Sequence, residues 1–471
     1  MKIRLLLAIV PGLIFGGEIG LIRAQTAAPA QVEAVESKPA PTAEPEATAA
    51  PTKDPRYEIP ATDEGLPGAG PIRRAAWFQS KWHDRRKHFA SNEAQEHGAL
   101  VFFGDSITEG WGDRMKDMFE GVKVANRGVS GDTTRGMLVR LDEDVIALDP
   151  AGVVMLMGTN DLEEKADAAT IAGNVKLIVD RLKEHNPKMP IVLCEVLPSS
   201  PTKSRPVEKI KELNKAYAEA MKDETQVTMI DTWTLFAGDD GNAKKEEFPD
   251  LLHPNAIGYG KWAGALRPAL ATLGFMDTAP DVFTPEEGFV SLFNGHDLTG
   301  WRFVPTTEKD PAESKKKGAP TWPIVEKEVT FDGQTETPDG RYVAKNGRLI
   351  VTTPHEGRRL QQLWTTKEFP KDFILKLEFR ATPNADSGVY IRAPQLQCRD
   401  YLLAGPYKKL EQYKAADWNE LVITVTDSKA HCECNGEVLE DHLKVPETGP
   451  IGLEGDRGQM EYRRIRIKEG S

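Results

Sequence analysis

Between residues 100 and 230, five short apolar runs alternate with other segments, and no other feature constrains the fold as much. The runs are Leu100-Val-Phe-Phe103, Val122-Lys-Val-Ala125, Gly152 to Met157, Ile191 to Leu197 and Gln226 to Ile230. Two of the intervening segments have helical periodicity. Ile171, Val175, Ile178, Val179 and Leu182 share one face that stops at Asn186-Pro187, and Ile210, Leu213, Tyr217 and Met221 share another. Strand, helix, strand alternation predicts a parallel sheet covered by helices on both faces.

The texture changes near residue 285. Helical periodicity gives way to short alternating runs at Phe373 to Phe379, Gly388 to Arg392, Glu420 to Val425 and Tyr462 to Ile467, punctuated by Gly, Asn, Asp and Pro. That pattern predicts an all-β sandwich. Residues 305–340 are polar, carry Lys315-Lys-Lys317, and read as a long surface insertion. A chain of 471 residues is too long for one ordinary core, so two or three domains are expected.

The net charge of −12 argues against a nucleic-acid or anionic-membrane partner. Met1-Lys-Ile-Arg4 followed by the apolar run Leu5 to Phe15 reads as a secretory signal, with cleavage after Ala24; an uncleaved anchor is the alternative. Residues 26 to about 55 are rich in Ala, Pro, Glu and Thr and read as a linker. Cys194 lies in an apolar run and reads as a buried free thiol, whereas Cys398 could pair with Cys432 or Cys434. The spacing Cys432-Glu-Cys434 is too short for a usual zinc site. No metal or cofactor is expected.

Four blocks with chemical content fall in order across the α/β region. They are Gly104-Asp105-Ser106, the segment Asn126 to Thr134 with Gly131, Gly158-Thr159-Asn160-Asp161, and Asp250-Leu-Leu-His253-Pro254. The first turn places a hydroxyl at the carboxyl end of a strand, where open α/β sheets bind ligands. A serine needs a neutral His to take its proton and a carboxylate to hold the His tautomer, and all three types are present. Asp105 and Asp161 read as turn stabilisers, and Trp111 and Met115 as core.

The four blocks together resemble the SGNH, or GDSL-type, hydrolases, in the branch related to platelet-activating-factor acetylhydrolase subunits. The resemblance spans roughly 70–275 and implies a flavodoxin-like three-layer α/β/α fold. It implies Ser106 as nucleophile, His253 as base and Asp250 as its carboxylate. The implied oxyanion donors are the Ser106 and Gly131 N–H groups and the Asn160 amide.

Downstream, Phe289 to Trp301, Asp386 to Arg392, Asp417 to Leu421, Cys434-Asn-Gly436 and Gly449 to Glu454 with Tyr462 to Lys468 resemble the 3-keto-disaccharide hydrolase domain, a concanavalin-like jelly-roll sandwich. Asp386, Arg392 and Gln397 are its implied substrate contacts. The chain departs from that family at Gln395-Leu-Gln397-Cys-Arg-Asp400 and at Glu454-Gly-Asp456-Arg457. Those departures leave glycoside cleavage open and glycan binding as the expectation, with Trp301 and Trp418 as candidate stacking residues.

The expected organisation is a signal peptide at 1–25, a linker and lead-in at 26–69, the hydrolase at 70–275, a connector at 276–288 and the sandwich at 289–471. The expected function is a secreted or periplasmic serine esterase removing O-acyl, preferentially O-acetyl, groups from carbohydrate. A lipid or lysophospholipid esterase and a catalytically silent polysaccharide-binding protein are the alternatives.

Overall fold

The structure, a computed structural model, describes residues 54–277, 279–310, 322–353, 359–399 and 406–470. The signal sequence, the stretch 26–53, Lys315-Lys-Lys317 and Asp400 lie outside the described residues. No described helix is long and apolar enough to cross a membrane.

The first half opens with helix α1 (Ala76–Glu96) and continues through β1 (Leu100–Gly104), α2 (Ser106–Glu109), α3 (Arg114–Met118), β2 (Val124–Gly128) and α4 (Thr134–Asp144). Then come β3 (Gly152–Leu156), α5 (Thr159–Glu163), α6 (Ala168–His185), β4 (Ile191–Cys194), α7 (Val207–Met221), β5 (Val227–Ile230), α8 (Thr232–Phe236) and α9 (Ala256–Thr272). The five strands form one parallel sheet in the order β2-β1-β3-β4-β5. This is the flavodoxin-like order, whose switch point lies between β1 and β3.

Both faces of the sheet are buried, and the period-two alternation of strand side chains divides them. Val101, Phe103, Val153 and Met155 pack with Ile171, Val175, Ile178, Leu213 and Tyr217 from α6 and α7. Leu100, Phe102, Val154 and Leu156 pack on the other side with Trp111, Met115, Trp262 and Leu266. Trp111 and Met115 are therefore core, as expected. Cys194 is likewise a buried free thiol.

The segment before α1 is docked rather than free. Asn174 on α6 accepts from the Ala69 N–H at 3.0 Å and donates to the Ala69 carbonyl at 2.8 Å. Asp63 pairs with Arg135 at 2.6 Å.

The second half is antiparallel and contains no α-helix among the described residues. Its strands are β6 (Val290–Ser291), β7 (Trp301–Phe303), β8 (Val329–Thr330), β9 (Tyr342–Lys345), β10 (Arg348–Val351), β11 (Gln361–Glu368) and β12 (Phe373–Ala381). They continue with β13 (Asp386–Ile391), β14 (Gln395–Arg399), β15 (Asn419–Thr426), β16 (Lys429–Cys434), β17 (Glu437–Lys444), β18 (Pro450–Gly455) and β19 (Met460–Glu469). Two sheets face each other across one apolar core: β17-β16-β15-β12-β19-β10-β9 and β14-β13-β18-β11-β7-β8.

Three expectations are corrected here. Cys398, Cys432 and Cys434 are buried free thiols, because each points into the apolar core as an ordinary strand side chain. Burial raises all three, and Cys432 and Cys434 reach about 12, which keeps them protonated. Trp301 is fully buried, its indole N–H donating to the Leu292 carbonyl at 3.0 Å, so it presents no face to a ligand. The insertion at 305–340 is not all surface: β8 pairs with β7, and Phe331 is buried against Phe303 with ring centres 4.8 Å apart.

Candidate active site

Strand β1 ends in Gly104, and the chain turns at once into α2. A Cβ on Gly104 would meet the Leu156 carbonyl and the Thr108 hydroxyl at 2.3 Å each, so only glycine lets the turn lie this close to β3. Asp105 caps α2 by accepting from the Ile107 N–H at 2.9 Å. Ser106 thereby stands at the carboxyl edge of the sheet, beside the switch point.

The partner imidazole arrives from the other end of the region. Asn255 caps α9 through the Ile257 and Gly258 N–H groups, so the helix starts immediately after His253-Pro254. Tyr259, buried on the first turns of α9, donates to the Ile107 carbonyl at 2.8 Å and ties the helix to the serine turn. Leu251 takes a left-handed φ of 64°, and its carbonyl accepts from Ser199 at 2.8 Å. These contacts hold the loop that carries Asp250 and His253.

Within that frame Ser106 Oγ lies 2.9 Å from His253 Nε2. His253 Nδ1 lies 2.8 Å from Asp250 Oδ2, while Asp250 Oδ1 accepts the His253 N–H at 2.8 Å and the Leu252 N–H at 3.1 Å. Partial burial works against the Asp250 carboxylate. The bonds from His253 and Leu252 and the nearby imidazole outweigh it, and its pKa falls to about 2. An ionised carboxylate only accepts hydrogen bonds, so the imidazole proton sits on Nδ1 and the Nε2 lone pair faces the serine hydroxyl.

Gly131 and Asn160 lie in the second and third blocks, joined through Asp132. Gly131 has φ +87° and is buried in the turn before α4. Among the described residues no acceptor takes the N–H of Ser106 or of Gly131. Asn160, on α5 after β3, donates one amide hydrogen to the Asp132 carbonyl at 2.9 Å and has a second amide hydrogen to offer. Such donors, fixed in advance, suit the negative charge that develops on a carbonyl oxygen under attack.

Asp105, Asp132 and Asp161 surround these groups and are fully buried. Burial pushes them up to about 6, about 7 and about 6. Asp161 accepts the N–H and hydroxyl of Thr134, joining the third block to the second. Asp132 is bound by Arg140, which also donates to the Gly104 and Arg127 carbonyls.

Sequence reasoning missed Arg205. It is buried and donates to the Thr159 carbonyl and hydroxyl at 2.9 Å each, to Asn160 Oδ1 at 3.2 Å and to Glu163 at 3.0 Å, and also bonds the Lys203 carbonyl. Its position in a polar loop gives no local signal of these long-range partners.

In the sandwich, Asp386 and Gln397 lie near each other on one face of the β13–β14 pair, and Arg392 is apart from both. Asp386 starts β13 and pairs with Arg399 at 2.6 Å and Arg457 at 3.7 Å. Arg392 lies past the opposite end of β13, donating to the Pro446 and Lys371 carbonyls and stacking on Phe373. Gln397 is on β14, opposite Gly388. Trp418 is half-buried between the guanidinium groups of Arg380 and Arg463, 4.7 and 4.0 Å from its ring centre.

Leu363, Val389, Leu396 and Leu453 point into the core, so their strand neighbours line the outer face of the six-stranded sheet. There Gln362 donates to the Tyr390 hydroxyl at 3.3 Å and Tyr390 to Glu454 at 3.1 Å. Gln395 also bonds Glu454, and Trp364 lies 5.0 Å from the Tyr390 ring. Burial, and then the neighbouring Asp456, raise Glu454 to about 7.

Comparison with known proteins agrees with this division. Residues 102–261 match the GDSL-like lipase/acylhydrolase family, and residues 288–468 match the 3-keto-alpha-glucoside-1,2-lyase-like domain. The platelet-activating factor acetylhydrolase IB subunit alpha1 of Pongo abelii is 26% identical over 200 residues, covering 41% of this chain and 84% of that protein. A GDSL-like lipase from Bacteroides thetaiotaomicron is 27% identical, covering 40% of this chain and 97% of that one, with a TM-score of 0.36. The lipase/acylhydrolase of Enterococcus faecalis is 27% identical over 37% of this chain and 95% of that one, with a TM-score of 0.32. The chain thus resembles the GDSL-like lipase/acylhydrolase family over residues 102–261 and the 3-keto-alpha-glucoside-1,2-lyase-like domain over residues 288–468.

Proposed function

We propose that this protein is an exported serine esterase that removes O-acetyl groups from carbohydrate. The observation that carries the reading is the continuous hydrogen-bonded line from Ser106 Oγ through the His253 ring to Asp250. In the first half-reaction Ser106 Oγ attacks the ester carbonyl carbon while its proton passes to His253 Nε2. The carbonyl oxygen becomes an oxyanion, held by the Ser106 and Gly131 N–H groups and the free amide hydrogen of Asn160. Collapse breaks the bond to the leaving alcohol oxygen, which takes the proton back from Nε2, and an acyl-serine remains. Water then attacks the acyl carbon, gives its proton to Nε2, and carboxylic acid departs as Ser106 recovers its hydrogen.

The carbohydrate part of the reading is supported by the second domain, whose family is named for a glucoside. On its outer face Trp364 and Tyr390 stand beside hydrogen-bonding Gln and Glu side chains, the combination a sugar ring uses. The export part rests on the apolar, positively charged start of the chain.

Acetate release from O-acetylated xylan, measured beside release of acyl groups from a lysophospholipid, tests the reading. Wild type should act on the acetylated glycan, and Ser106→Ala should abolish that activity. Turnover of the lipid alone would replace the reading with a lipid esterase. No release from either, with retained glycan binding, would make the chain a binding protein.

A further inference from the structure

Helix α1 begins beside Gly131, and Trp77 in its first turn is 54% exposed while the next residue, Phe78, is buried. A Cβ on Gly131 would lie 2.5 Å from Cη2 of the Trp77 ring and 3.1 Å from Nη1 of Arg73. The indole and one guanidinium nitrogen therefore stand beside the backbone that offers its N–H to a bound carbonyl oxygen. Under the oxyanion role proposed for Gly131, a bound ester lies next to both.

Arg73 is held in place. Its Nε donates to Glu164 at 2.7 Å and its Nη2 to Glu163 at 2.5 Å, which leaves Nη1 on the Gly131 side. Its guanidinium carbon lies 5.7 Å from the Trp77 ring centre. Phe78 meets the same indole edge-on, with ring centres 5.6 Å apart, and fixes its tilt. Glu163 also pairs with Arg205, so two cations and two carboxylates cancel around the site.

We propose that Trp77 and Arg73 form a sugar-ring subsite next to the oxyanion donors, Trp77 stacking on the apolar face of the pyranose that bears the ester and Arg73 Nη1 donating to one of its hydroxyls. This rests on the carbohydrate-ester reading above. The local charge balance selects the ligand class. With no net positive charge there is little to draw a phosphate headgroup, and a plain acyl chain would leave Nη1 without a partner. A neutral hydroxylated ring uses both the flat face and the donor.

The test compares the full-length protein with Trp77→Leu, Trp77→Gln and Trp77→Phe. Leu and Gln are good helix formers at this exposed position and lack a flat face. Each variant is assayed on an O-acetylated xylo-oligosaccharide and on ethyl acetate, an ester without a ring. The ratio of kcat/KM on the oligosaccharide to kcat/KM on ethyl acetate should fall by about tenfold in the Leu and Gln variants, the scale of one lost aromatic contact. It should stay within about threefold in Trp77→Phe, which keeps an aromatic face. A wild-type ratio in both Leu and Gln variants would overturn the subsite. Failure of the underlying reading looks different: wild type would cleave ethyl acetate and release nothing from the oligosaccharide, and the sugar subsite would fall with it.

Discussion

Arg205 Nη2 donates to Oδ1 of Asn160 at 3.2 Å, while the amide NH2 of that side chain donates to the Asp132 carbonyl at 2.9 Å. Arg205 thus sets the orientation of the amide proposed above as an oxyanion donor.

Replacing Arg205 with Lys or Met should lower kcat by about 10- to 100-fold, less than the loss expected from deleting an oxyanion donor outright. KM should change little, because the misplaced bond forms in the transition state. Lys should recover more activity than Met. Steady-state kinetics beside melting temperatures checks this; a fall in melting temperature with unchanged kcat would assign Arg205 to stability alone.

Gly131→Ala meets two penalties. The left-handed φ of +87° costs an alanine about 1–2 kcal/mol, and its methyl would collide with the Trp77 ring. The variant should lose stability and kcat together. Adding Trp77→Ala should return part of the stability by removing the collision and leave the backbone strain. Double-mutant thermal denaturation measures the coupling.

Much of the architecture is legible in the sequence because it is written in local patterns. The parallel sheet follows from the apolar runs, and the Ser106 turn, Gly131, Asn160 and the Asp250–His253 loop each follow a recognisable element. Arg205, Arg73 and Trp77 are not legible, since their meaning comes from partners tens of residues away. Trp301 misleads because a tryptophan beside a turn looks the same whether its ring goes into the core or out to solvent. Cys398 lies in one sheet and Cys432 and Cys434 in the other, and only the packing shows all three as core thiols.

Glu454 makes stability depend on pH. Its carboxyl, at about 7 in the folded chain against an ordinary 4.5, holds its proton more tightly when folded. Its stabilising contribution is whole below about 4.5 and is lost as pH rises to about 7. Melting temperatures of wild type and Glu454→Gln should therefore diverge in favour of the variant between pH 5 and pH 7, by about the unfolded and folded pKa limits, and run parallel above. A difference that does not change with pH would show that Glu454 does not titrate in this range.

Nucleophile, base and oxyanion donors all come from the chain's own side chains and backbone in this mechanism. Chelation with EDTA should leave ester hydrolysis unchanged, assayed on ethyl acetate before and after dialysis. Loss on chelation, restored by a divalent cation, would require a different activation of the nucleophile.

Covalent labelling tests most directly whether Ser106 is the nucleophile that His253 activates. A fluorophosphonate reacts preferentially with a serine activated in this way, and peptide mass spectrometry locates the adduct. Wild type should carry one phosphonyl group on Ser106 and lose esterase activity in step with labelling, while Ser106→Ala and His253→Ala should remain unlabelled. A label on another residue, or hydrolysis that survives in Ser106→Ala, would show that Ser106 is not the nucleophile.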